Sequence, residues 1–212
     1  MNSLYLNPWW RTYTPSCSPE ELMLILTLPS GGRLELPTDP YNEVVPNIYI
    51  GDGTTALCVS HLKRLRVTHV LNAACGKDKS LYMINTSESF YKESGIKFMG
   101  IEALDMSTFH LLPHFFKAAE FIHNAIENNG KVYVHCRQGI SRSSTLVLAY
   151  LMIKRGLTVQ EAVRIVRRNR EIIPNSGFLK QLCVLNEELI ETRKMNDISK
   201  SVRNAGNEIR VV

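Results

Sequence analysis

Hydrophobic positions along the chain change their period several times, and each change marks an element. Ser18-Pro19-Glu20-Glu21 supplies an N-cap serine, a proline at the first helical position and a glutamate at the capping-box position. A short helix is therefore predicted through Leu22-Met23-Leu24-Ile25-Leu26, stopped by Pro29-Ser30-Gly31-Gly32, with a polar, proline-rich connection to about Pro40. Val44-Val45 and Ile48-Tyr49-Ile50 read as short strands before a Gly51-Asp52-Gly53 turn. Residues 54–66 read as a helix, 67–73 as a buried strand, 76–89 as a polar loop and 96–101 as another strand. Apolar residues at 115, 116, 118, 119, 121, 122 and 125 form a helical stripe, predicting a helix over 112–128 that Asn129-Gly130 ends. A strand is predicted at 131–135, then a strongly apolar helix over 143–155 stopped by Gly156. Thr158 caps a helix reaching about Arg168, and a last helix spans 177–194. Residues 1–16 carry no period and are expected to be weakly ordered, and the polar C-terminal end is expected to fray.

Strands alternating with helices predict an α/β fold: a central, mostly parallel, twisted sheet flanked by helices. The division expected is an N-terminal extension with a short helix over 1–40, a catalytic domain over 41–195 and a polar tail over 196–212. Ligands of such sheets sit at the carboxyl ends of the strands, which directs attention to the segment after 131–135.

Composition adds little to the fold but narrows the function. With 44% hydrophobic and 21% charged residues among 212, disorder, collagen-like repeats and coiled coil are excluded. A formal charge of +5 suits an anionic partner and is too weak to indicate nucleic acid. The apolar run at 22–26 is too short to span a bilayer, and acidic Glu20 and Glu21 before it make a poor signal peptide, so a cytoplasmic or nuclear protein with no membrane partner is expected. Five widely spaced cysteines without a C-x-x-C pair argue against disulfides and zinc, and no histidine has metal-ligand spacing, so no metal or cofactor is expected.

One cysteine stands apart. His135-Cys136-Arg137-Gln138-Gly139-Ile140-Ser141-Arg142-Ser143 lies between a strand and a helix. A cysteine with an arginine six positions on, across such a turn, is a phosphate cradle. Backbone N–H groups and the helix N-terminus attract a dianion, and the same field lowers the thiol pKa of Cys136. The planar fork of Arg142 can bind two phosphoryl oxygens, which lysine could not. Gly139 permits a turn a side chain would obstruct. Ser143 can donate to the thiolate, and His135 would orient the loop from behind. Arg137, Gln138, Gly139, Ile140 and Ser141 complete the substrate-binding loop. Asp105, after the strand at 96–101, is the candidate to protonate the leaving oxygen and then activate water.

The sequence HCRQGISRS resembles the HC-x5-R-[ST] loop of the cysteine-dependent protein phosphatases. Asn42-Glu43-Val44 with Ile48-Tyr49-Ile50-Gly51, residues 68–74, Phe90-Tyr91-Lys92, residues 146–152, Asn169-Arg170-Glu171 and residues 174–179 are similar to the small atypical dual-specificity phosphatases of the VHR type. The resemblance covers roughly residues 18–192. It implies that Cys136 is the nucleophile, Arg142 the phosphate binder, Asp105 the acid/base and Ser143 the thiolate-release hydroxyl. It further implies that Arg170 holds a second phosphate or acidic group beside the pocket, and that Asn175 braces the loop. The implied partners are phosphorylated proteins, with mitogen-activated protein kinases as a substrate class, and the implied state is a monomer or weak dimer.

Gln138 and Ile140 depart from that pattern, which has glutamate and tyrosine there. The loop over 76–83 is about two residues longer, so Leu81 or Tyr82 is expected to wall the pocket. Cys75, after the strand at 67–73, could pair with an oxidised Cys136. A phosphatase for phosphoinositides or RNA 5′-phosphates is disfavoured by the neutral Gln138 and Ile140. A catalytically weak phosphate-binding scaffold is disfavoured by the intact Cys136, Arg142, Ser143 and Asp105.

Overall fold

The computed structural model describes residues 16–208, with side chains described for 16–195. In chain order the elements are α1 (Pro19–Thr27), β1 (Tyr41–Val45), β2 (Ile48–Gly51), α2 (Gly53–Leu57), α3 (Val59–Arg64), β3 (His69–Asn72), α4 (Glu88–Tyr91), β4 (Lys97–Gly100), α5 (Phe115–Glu127), β5 (Val132–His135), α6 (Arg142–Arg155), α7 (Val159–Arg167) and α8 (Ser176–Glu208). The sheet order is β1-β2-β5-β3-β4, antiparallel only between β1 and β2. In register, Gly51, His135, Asn72 and Gly100 stand level at one edge, so four parallel strands end together where β5 delivers its loop.

The sheet is covered on both faces, and strand alternation sorts its side chains between them. Ile48, Ile50, Leu71, Val132 and Val134 join the main core under α5 and α6. Tyr49, Val70 and Tyr133 join a smaller cluster with Ala56, Leu62 and Tyr91. Helix α6 is buried from Arg142 to Met152, packed between the sheet, α5, α7 and α8. Complete enclosure explains why it is apolar almost all round. Gly156 caps it at φ 73°.

Four expectations need correction. The helix expected over 54–66 is two short helices, broken at Cys58 (φ −92°, ψ 80°), where no glycine or proline announces a break. The loop expected over 76–89 contains a 3₁₀ turn at Lys79–Leu81 and reaches α4 at Glu88. The last helix does not stop at 194, and its backbone stays helical through Glu208, in a stretch that meets no proline and no glycine between Phe178 and Ala205. Cys17 and Cys183 are joined by a disulfide across 166 residues, tying the start of α1 to α8. Such a pairing leaves no local spacing to read. The expectation for residues 1–15 lies outside the described residues.

Candidate active site

The site grows from the end of β5. His135 is fully buried, its Nδ1 3.2 Å from the Cys136 carbonyl oxygen, and burial lowers its pKa to about 4, so the ring is neutral at neutral pH. Cys136 is 1% exposed. The Gly139 N–H and the Ser143 Oγ–H each donate to its Sγ at 3.3 Å. Burial alone would raise the thiol pKa. The Arg142 guanidinium, the Ser143 hydroxyl and the Ser143 and Gly139 amides outweigh it, so the pKa lies below that of an ordinary thiol.

Gly139 is required by geometry. Its φ is +70°, and a Cβ there would sit 2.4 Å from the Gly51 carbonyl oxygen. The loop is held against the end of β2, and Gly53 N–H donates to the Arg137 carbonyl at 3.1 Å.

Arg142 is 2% exposed. Its Nη1 donates to the Ala103 carbonyl at 3.0 Å, and its Nε lies 3.5 Å from Asp105 Oδ2 without a hydrogen-bond acceptor among the described residues. A buried guanidinium N–H in that condition suits an incoming oxyanion. Asp105 Oδ1 accepts from Ser141 Oγ at 2.7 Å and from Asn175 Nδ2 at 2.9 Å. Asn175 also donates its N–H to Ser141 Oγ at 3.3 Å and accepts at its Oδ1 from the Phe178 N–H in the first turn of α8. One hub thus ties carboxylate, cradle and helix together.

Asp105 and Arg142 line a cleft of about 950 Å³. Arg137, Gln138 and Ile140 form one wall with Arg142. The rest of the lining includes a strap, Leu36-Pro37-Thr38-Asp39-Pro40, with Asp52, Thr54 and Tyr82. Tyr82 is the wall residue of the longer loop and Leu81 is not. The sequence alone does not bring this strap to the cleft. Its one signal is Pro37 and Pro40, which stiffen an extended segment.

Arg170 departs most from expectation. It is 1% exposed, and all three of its nitrogens are engaged. Nε donates to the Gly139 carbonyl (2.8 Å) and Nη2 to the Gln138 carbonyl (3.1 Å). Nη1 donates to Asn42 Oδ1 (2.6 Å) and the Asp39 carbonyl (3.1 Å). Four of its five N–H donors are spent on these oxygens of the cradle and its neighbours, and the side chain also contributes to the lining of the cleft. Cys75 and Cys136 are both free thiols. Cys75 Sγ donates to the Thr86 carbonyl at 3.4 Å, and burial and Glu102 raise its pKa.

Among the described residues no cluster of histidine, cysteine and carboxylates could hold a metal ion, and no helix is long and apolar enough to cross a membrane.

Comparison with known proteins agrees with this geometry. The family described as dual specificity phosphatase, catalytic domain, matches residues 48–188. The chain belongs to the dual-specificity phosphatases. Human DUSP28 is 26% identical, with a TM-score of 0.62 over 73% of this chain and 99% of that one. The Yvh1 phosphatase domain from Chaetomium thermophilum is 26% identical, with a TM-score of 0.57 over 68% and 94%. A human tyrosine phosphatase-like serine/threonine/tyrosine-interacting protein is also 26% identical, with a TM-score of 0.57 over 67% and 92%. The mostly parallel five-stranded sheet between helices is the fold of this phosphatase family.

Proposed function

We propose that this dual-specificity phosphatase hydrolyses phosphotyrosine, phosphoserine and phosphothreonine in proteins through a phosphocysteine at Cys136. The observation that carries the reading is the pair of donors on Sγ, the Gly139 amide and the Ser143 hydroxyl, beside the buried Arg142 guanidinium. In the first step the thiolate attacks phosphorus, an S–P bond forms and the P–O bond to the leaving oxygen breaks. Asp105 gives that oxygen its proton, and Arg142 follows the equatorial oxygens. In the second step water attacks phosphorus, Asp105 takes its proton, the S–P bond breaks and inorganic phosphate leaves. Ser143 Oγ–H stabilises the departing thiolate.

A protein substrate is favoured over a polyanionic phosphoester by the mouth of the cleft. Arg137 is the exposed arginine there, and it shares the lining with the carboxylates of Asp39 and Asp52. Mitogen-activated protein kinases remain a candidate substrate class. The bond from Ser143 to Cys136 and the Asp105–Arg142 contact favour turnover over mere phosphate binding.

The test is hydrolysis of a small aryl phosphate with chelator present, then of phosphopeptides and inositol phosphates. Full activity in chelator, loss in Cys136→Ser and preference for peptides are expected. Retained phosphopeptide binding without turnover would overturn the reading.

A further inference from the structure

Arg170 has a definite job in the geometry. In a trans peptide unit the C=O and the N–H point in opposite directions. The unit joining Gln138 to Gly139 has its carbonyl held by Arg170 Nη2 and its N–H on Cys136 Sγ. The next unit has the Gly139 carbonyl held by Arg170 Nε, at 2.8 Å. That leaves its own N–H, on Ile140, directed away from the arginine. None of these peptides is cis. One rigid guanidinium therefore fixes two successive peptide planes of the cradle, which a single ammonium could not do. Its third nitrogen reaches the Asp39 carbonyl, so the same side chain also anchors the strap.

We propose that Arg170 is a positioning residue that turns the cradle amides toward Cys136 and the incoming phosphoryl group, and that it does not bind a second phosphate. The proposal deepens the phosphatase reading and rests on it. Arg170 and Cys136 interact electrostatically, so the charge of Arg170 also adds to the field in which the thiolate sits. The charged group bearing most on Sγ is Arg142 from α6, Asp52 from the turn after β2 and Glu171 bear on Arg170 itself, and His135 beside the sulfur is neutral.

The experiment compares wild type, Arg170→Lys and Arg170→Met. Alkylation of Cys136 by iodoacetamide is measured against pH, together with inhibition by vanadate. The inflection of the alkylation profile should move up by about one pH unit in Arg170→Met and by less in Arg170→Lys, and vanadate should bind about tenfold more weakly. An unmoved inflection in a variant that melts like the wild type would overturn the proposal. A second measurement needs no variant: wild type should hydrolyse a doubly phosphorylated peptide no more than about twofold faster than its singly phosphorylated form. A tenfold preference for the doubly phosphorylated form would restore the second-phosphate role and refute this one. If wild type fails to hydrolyse any aryl phosphate, the phosphatase reading falls, and the alkylation profile still judges Arg170 separately.

Discussion

The two walls of the cleft are built differently. The cradle wall consists of consecutive residues, 136 to 142, and its polar groups are bonded to the sheet edge, Arg170, Asp105 and Asn175. The strap wall, 36 to 40, is largely exposed. It is held by the Asp52 N–H on the Pro40 carbonyl (2.9 Å), by Asn42 on the Asp39 carboxylate and by Arg170 on the Asp39 carbonyl. The proposed chemistry, which must hold a thiolate and a phosphoryl group to within fractions of an ångström, falls on the braced wall. Under the proposed function, the wall with few bonds is the one to carry contacts to the rest of a substrate.

Substitutions in the two walls should therefore differ in size and in kind. Cys136→Ser should reduce turnover of any phosphomonoester below detection, because the proposed phosphocysteine can then not form. Asp105→Asn should cost on the order of 10²–10⁴ in kcat for a peptide substrate, the usual scale of proton-transfer assistance. An undiminished rate would remove Asp105 from the mechanism. Ser143→Ala removes one hydrogen bond to a charged sulfur, roughly 1.5–3 kcal/mol, so the second step should slow about 10- to 100-fold. A burst of leaving group ahead of slow turnover would show it, and equal slowing of both steps would contradict it. On the strap side, Leu36→Ala and Tyr82→Ala should raise KM for phosphopeptides by roughly two- to fivefold, as expected for partly exposed apolar contacts. A small aryl phosphate should feel much less. Strap substitutions that lowered kcat for the aryl phosphate as far as Ser143→Ala would erase the distinction between the walls.

The same contrast explains what is legible in the sequence. The cradle can be read because its chemistry is local: a cysteine, a glycine and an arginine at fixed spacing between a strand and a helix. Asp105 is accessible because it lies after β4, whose end stands level with that of β5 in the sheet. The strap is not legible, since nothing local links Leu36 or Asp39 to residues a hundred positions on. Arg170 stands out in the sequence while its role does not, because a sequence shows the charge of a side chain but not its burial. The Cys17–Cys183 bond is hidden because it depends on α1 packing beside α8. The break at Cys58 carries no signal in the local sequence, since neither glycine nor proline stands there.

The chemistry depends on the state of one sulfur atom. The most direct measurement is the thiolate ultraviolet absorbance of the wild type minus that of Cys136→Ser, titrated from acid to alkali. The folded pKa of Cys136 is lowered, so the thiolate signal should persist as the pH falls below the ordinary thiol range near ~8.5. A signal that emerged only near that ordinary value would leave the enzyme without a nucleophile at neutral pH and contradict the phosphocysteine mechanism.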